Sequence, residues 1–174
     1  MKITKTKIKE VLIIEPEIFE DDRGWFAKTF DNENFNIVEE NRSFSEKAGT
    51  LRGLHFQNNP HNQAKLIRCL KGSLLDIAVD LRKNSPTYKK WVAVELSEEN
   101  MKSMFIPKGF AHGFLTLEDN TEIEYKVDES YYKRLDRNVR YDDPELKIKW
   151  KIKNPIMSDR DKEAPLLKDC DINL

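Results

Sequence analysis

Cysteine, histidine and glycine are all scarce in this chain, with two, three and six residues among 174. Cys69 and Cys170 have no C-x-x-C spacing, which removes zinc-ribbon and dithiol redox motifs. Cys69 lies in an apolar run and is expected to be a buried, reduced thiol. His55, His61 and His112 show no H-x-H or H-x-x-x-E spacing, so no metal is expected. His61, in a Pro-His-Asn turn, reads as a surface residue. No G-x-G-x-x-G, Walker or G-x-S-x-G pattern occurs. Hydride transfer, nucleotide hydrolysis and serine-hydrolase chemistry therefore lack support. Long hydrophobic runs are missing too: residues 11–14 fall far short of a signal or membrane segment, and a cytoplasmic location is expected. Neither charge sign dominates, with 30 basic and 31 acidic residues. That balance gives no field to recruit nucleic acid or a membrane.

What is present is a succession of short β-like runs. Residues 11–14, 25–30, 51–57, 64–70, 74–81, 91–96, 104–106, 114–117 and 122–127 read as strands divided by turn signals. Residues 147–153 alternate lysine with Ile148, Trp150 and Ile152, which predicts a half-buried edge strand with a solvated face. Helical signals are weak, at 31–40 and 159–164. Many short strands at close spacing predict an all-β sandwich or barrel, a single domain over 1–174.

The most informative run is Leu51-Arg52-Gly53-Leu54-His55-Phe56-Gln57, which places an imidazole on a strand. Its unperturbed pKa of ~6.5 suits proton transfer near neutrality. Lys65 follows ten residues later. If the two runs form a hairpin, an imidazole base and an ammonium share one cavity. That is what enolate chemistry requires: one takes a proton beside a carbonyl, the other holds the oxyanion. Tyr125 is a candidate acid on another strand, and Tyr131 a candidate stacking ring. Arg23 and Arg52 offer guanidinium forks for a diphosphate. Strand alternation puts Arg52 on the face opposite His55, unless a bulge lies between them. Ser158-Asp159-Arg160-Asp161 holds carboxylates that could orient a histidine. Each has a plainer alternative: a core histidine, a solvated lysine, a packed tyrosine, an N-cap with early acids.

Taken together, these segments resemble the dTDP-4-dehydrorhamnose 3,5-epimerase family. The match runs from Asp21-Asp22-Arg23-Gly24 to Ala164-Pro165-Leu166. It includes the 51–57 run, Lys65-Leu66-Ile67-Arg68, Asp76 to Arg82, Ser85-Pro86-Thr87, Trp91 to Ser97, Ile106 to Phe114 and Asp142-Asp143-Pro144. The resemblance implies a cupin-like double-stranded β-helix jelly roll with a few short helices. It also implies a homodimer, to whose sheet the 1–50 segment contributes, and a reaction needing no cofactor or metal. The implied activity is epimerisation at C3 and C5 of a nucleotide-linked, dTDP-type 4-keto-6-deoxy-hexose. By the same resemblance His55 is the base and Asp161 its orienting partner. Lys65 stabilises the C4 enolate and Tyr125 reprotonates C5. His112 lies in the sugar pocket and Asn41 is a further substrate contact. Arg23 and Arg52 meet the diphosphate. Phe26 and Tyr131 sandwich the base, Phe26 from a partner subunit.

The family's Gln-x-Asn-x-Ser appears here as Glu39-Glu40-Asn41-Arg42-Ser43. Lys28 stands where an acid is usual, and Ala64 precedes the active-site lysine in place of glycine. A C3-only epimerase, an epimerase of another nucleotide sugar and a non-catalytic sugar-binding cupin remain the alternatives.

Overall fold

The computed structural model describes residues 1–30 and 35–174. Among the described residues thirteen strands run in order: β1 (Lys2–Lys5), β2 (Leu12–Glu15), β3 (Ile18–Asp21), β4 (Gly24–Ala27), β5 (Glu39–Ser45), β6 (Leu51–Gln57), β7 (Lys65–Lys71), β8 (Ser73–Asp80), β9 (Trp91–Ser97), β10 (Ser103–Ile106), β11 (Phe110–Thr116), β12 (Thr121–Val127) and β13 (Asp136–Asn138). An α-helical turn, α1 (Asp159–Lys162), and a 3-10 turn at Leu167–Asp169 follow.

The strands form a six-stranded sheet, β1-β2-β10-β7-β12-β5, and a five-stranded sheet, β13-β6-β11-β8-β9. All named pairings are antiparallel. The two sheets face each other in a cupin-like jelly roll. Alternation decides what lies between them. Ile67 and Cys69 of β7, Ile123 of β12, Leu74 and Ala78 of β8, and Phe114 of β11 share one apolar cluster. A second cluster lies on the outer face of the five-stranded sheet. There Leu54, Ile77, Val79 and Ala111 are covered by Val139, Leu146, Trp150 and Leu167 from the C-terminal segment. Because both faces of β8 are covered, it reads as a nearly continuous buried run.

Three expectations need correction. The 51–57 and 64–70 runs do not form a hairpin, since β6 and β7 lie in opposite sheets. Residues 147–153 are not a strand. Their burial alternates as the sequence predicts, because Ile148, Trp150 and Ile152 pack onto the sheet beneath. However, Lys147 and Lys151 adopt φ of 51° and 59°, which breaks an extended backbone. The 31–40 helix is replaced at its end by β5, which begins at Glu39, while residues 31–34 lie outside the described residues. The helix expected at 159–164 is α1, capped by Ser158, whose hydroxyl accepts from the Asp161 N–H at 3.2 Å. Cys69 is buried and unbridged. His61, expected at the surface, is partly exposed there, with its ring stacked on Tyr132 at 4.0 Å and 3.3 Å from Glu129.

Candidate active site

His55 projects from β6 into the space between the sheets, and β6 reaches that geometry through an irregularity. Across the β6–β11 pairing, His112 opposes His55 and Phe114 opposes Arg52. Two steps on β11 therefore match three on β6. The extra residue is a bulge, and it returns Arg52 to the face of His55. The sequence-level obstacle to a shared site is thereby removed. Gly53 makes the bulge possible. Its φ is +123°, and a Cβ there would lie 2.6 Å from the Gly113 Cα.

The His55 Nε2 lies 2.6 Å from Asp161 Oδ1, and the Gly53 N–H donates to Asp161 Oδ2 at 3.3 Å. Burial on its own would push the Asp161 carboxyl up. The hydrogen bond and charge of His55, the Gly53 N–H and the charge of Arg160 outweigh it and hold Asp161 below the usual carboxylate range. An ionised carboxylate only accepts, so Nε2–H is the donor, and Nδ1 carries the lone pair whenever the ring is neutral. Nδ1 has no hydrogen-bond partner among the described residues.

The opposite sheet supplies the other groups. Lys65 opens β7, and its Nζ sits 5.7 Å from the ring centroid of Tyr125 on β12. Burial pushes the Lys65 ammonium below the usual lysine range, against the opposing charges of Asp136 and Asp76. Burial likewise pushes the Tyr125 phenol up. Neither Nζ nor the phenol oxygen is hydrogen-bonded within the described residues. Asn41 of β5 pairs with Tyr125 in the ladder. Asn41, His55, Lys65, Tyr125 and Tyr131 all line one cavity of about 420 Å³. Arg52 lines an adjoining hollow of about 380 Å³ that also contains His55 and Asp161. Its guanidinium donates to the Phe44 carbonyl at 3.0 Å.

His112 is buried on β11 beside His55 in the ladder, with Nε2 2.6 Å from Asp76 Oδ1. Arg23 and Phe26 do not join this cavity. They lie on the β3–β4 hairpin, where Arg23 pairs with Asp21 and Phe26 is 70% exposed.

Sequence reasoning missed a cluster at the mouth. Tyr131 donates its hydroxyl to Asp136 at 2.9 Å, Arg160 meets the same carboxylate at 2.8 Å, and the Tyr131 N–H donates to Glu39 at 2.9 Å. Glu39, Asp136 and Arg160 line the cavity. No spacing marks Asp136. Arg160 is flagged only by adjacency to Asp161, and Glu39 only as a departure from the family pattern. Chemically, the cavity sets an oriented base against a cation and a phenol carried by the other sheet. That arrangement suits removal and return of a proton on opposite faces of a carbonyl compound.

The family model described as dTDP-4-dehydrorhamnose 3,5-epimerase matches residues 5–169. A dTDP-4-dehydrorhamnose 3,5-epimerase of Shigella flexneri is 44% identical over 98% of this chain and 98% of its own length. The crystal structure of dTDP-4-dehydrorhamnose 3,5-epimerase from Elizabethkingia anophelis superposes with a TM-score of 0.93 at 43% identity, covering 97% of each chain. That of a dTDP-6-deoxy-D-glucose-3,5-epimerase from Legionella pneumophila, in complex with dTDP-4-keto-L-rhamnose, gives 0.92 at 39% identity. It covers 98% of this chain and 94% of the other.

Proposed function

The chain belongs to the dTDP-4-dehydrorhamnose 3,5-epimerase family, and on that premise we propose that its cavity epimerises a dTDP-linked 4-keto-6-deoxy-hexose at C3 and C5. The observation that carries this reading is the facing of His55, with Nδ1 unengaged, by Lys65 and Tyr125 across one cavity.

The 4-keto group acidifies both neighbouring carbons. His55 removes the proton through Nδ1, and Asp161 holds the ring and balances the charge it acquires. Lys65 faces the oxygen at C4 and stabilises the enolate. Tyr125 returns a proton to C5 from the opposite face, which inverts that centre. Its raised pKa keeps the phenol protonated and able to donate. The ketone is the electron sink, so this chemistry requires no cofactor or metal. Arg52 is assigned to the diphosphate, Asn41 and His112 to the sugar pocket, and Tyr131 to the face of the nucleotide base.

The homodimer is part of the same proposal. Ile18, Phe19, Trp25 and Phe26 on the β3–β4 hairpin are 43%, 56%, 61% and 70% exposed. The hairpin joins neither large sheet. The register sets Phe19 against Phe26 on one face and leaves Ile18 and Trp25 on the other. Apolar exposure of this kind favours a protein partner, and the proposed partner is a second copy that receives Phe26 and Arg23 beside its own cavity. The cytoplasm is the proposed compartment.

Incubation with dTDP-4-keto-6-deoxy-glucose in heavy water, followed by proton NMR, tests the activity. Deuterium at both C3 and C5 is expected. Deuterium at C3 alone would replace the proposal with a single epimerisation, and none at either would replace it with a binding role.

A further inference from the structure

The cavity lysine faces an electrostatic difficulty. An ammonium is useful as an oxyanion partner only while charged, and burial drives Lys65 toward neutrality. The groups around it come from several elements: Tyr125 on β12, His55 on β6, Glu39 on β5, Asp136 on β13, Arg160 on α1, and Asp76 on β8 behind them. Two of these carboxylates, Asp136 and Asp76, act on Lys65 through their charge. Asp136 is already bound by the Arg160 guanidinium and the Tyr131 hydroxyl.

Asp76 is different. It is fully buried, and it shares its inward alternation with Leu74 and Ala78, so it points at the sheet that carries Lys65. Oδ1 takes its one hydrogen bond from the His112 ring. Oδ2 is buried with no hydrogen-bond partner. A buried carboxylate oxygen left without a donor is costly, and native proteins rarely keep one without a purpose. Apart from His112, Asp76 has no ion-pair partner among the described residues.

We infer that Asp76 is a positioning residue for the reaction: its unengaged oxygen is the counter-charge that keeps Lys65 an ammonium, through a bridging water, while His112 fixes the carboxylate in place. This rests on the reading of Lys65 as the enolate partner, but it concerns the charge state of the lysine and is measured apart from turnover. A water held between a buried carboxylate oxygen and an ammonium would find there the polar partners it needs. The inference also gives a reason for an acid inside the apolar run of β8.

The test uses the full chain with 13C label at lysine Cε, titrated by NMR. Asp76→Asn is expected to lower the Lys65 pKa by roughly one to three units, the range of a close opposite charge. The alkaline limb of kcat/KM should move to lower pH by the same amount. His112→Gln keeps an N–H for Asp76 and is expected to leave the Lys65 titration in place. Reciprocally, Lys65→Met should raise the Asp76 carboxyl pKa, read at 13Cγ, which supplies the answer even if Asp76→Asn does not fold. An unmoved Lys65 titration in Asp76→Asn, or an unmoved Asp76 titration in Lys65→Met, overturns the inference. If the titrations shift as expected but wild type exchanges no sugar hydrogens, the pairing stands and the epimerase reading fails instead.

Discussion

Gly53→Ala should damage both the fold and the chemistry, because one glycine makes the bulge and helps hold the base. A methyl group at this position would sit 2.6 Å from the Gly113 Cα and 2.8 Å from the His112 carbonyl oxygen. Carbon atoms pack comfortably at about 3.5–4.0 Å, so β6 and β11 must separate locally by about 1 Å. The φ of +123° adds backbone strain for any L side chain, worth about 1–3 kcal/mol. Overpacking adds about 1–3 kcal/mol. The sum is about 2–6 kcal/mol, a large part of the ~5–15 kcal/mol that stabilises a domain. The same displacement strains the Gly53 N–H bond to Asp161 and moves His55 relative to Lys65 on the other sheet. A misplacement of about 1 Å costs on the order of 100-fold in rate. Urea unfolding monitored by tryptophan fluorescence gives the stability, and solvent-hydrogen exchange into the sugar gives the rate. A variant within about 0.5 kcal/mol of wild type, the scatter of neutral surface changes, with an unchanged exchange rate, would refute the reasoning about the bulge.

Asp161→Ala removes a charge-assisted bond worth about 1.5–3 kcal/mol, so exchange should slow by roughly 10- to 150-fold. Because the Asp161 carboxyl is held below its ordinary range, its contribution to stability is present above that range and lost as pH falls through its lowered pKa. Urea midpoints measured down the acid limb should show that portion missing in the variant. Lys65→Met is expected to lower kcat by about 100- to 1,000-fold, with nucleotide-sugar affinity by calorimetry nearly unchanged. The wild-type alkaline limb should fall below the ordinary lysine range, since burial lowers this amine. Tyr125→Phe should cut deuterium incorporation at C5 by about 100- to 10,000-fold, while C3 exchange stays close to wild type by NMR. Trp25→Asp places a charge in the exposed apolar hairpin, and sedimentation equilibrium should show the proposed dimer of the wild type replaced by monomer.

Legibility in the sequence followed what each strand does. β6, β7, β8, β9 and β12 were readable almost to their ends because apolar residues with β-branched neighbours pack between or behind the sheets. β5 was not, and the cause is functional. Its inward-facing Glu39 and Asn41 line a cavity rather than a core, so the strand carries almost no apolar periodicity. β13 is three polar residues long and lies at the sheet edge beside β6. Residues 147–153 misled in the opposite direction: two-residue alternation reports which side chains are buried, and a non-paired segment lying on a sheet produces it as readily as a strand does. In the site, motifs identified His55, Lys65, Tyr125 and Asp161 as candidates, and the cavity brings the first three together with Asp161 behind the base. Alternation alone set Arg52 apart from His55, because a bulge leaves no mark beyond a glycine. Asp76 was visible as an acid within the 74–81 run and as the start of a family-matching segment, neither of which names its partner.

The central claim is that the imidazole of His55 takes the hydrogens beside the ketone. Replacing it with alanine and following dTDP-4-keto-6-deoxy-glucose in heavy water by NMR, alongside calorimetric binding, tests this most directly. The account predicts that the nucleotide sugar still binds while exchange at both carbons falls to the rate in buffer. Exchange at either carbon that persists at the wild-type rate would contradict it.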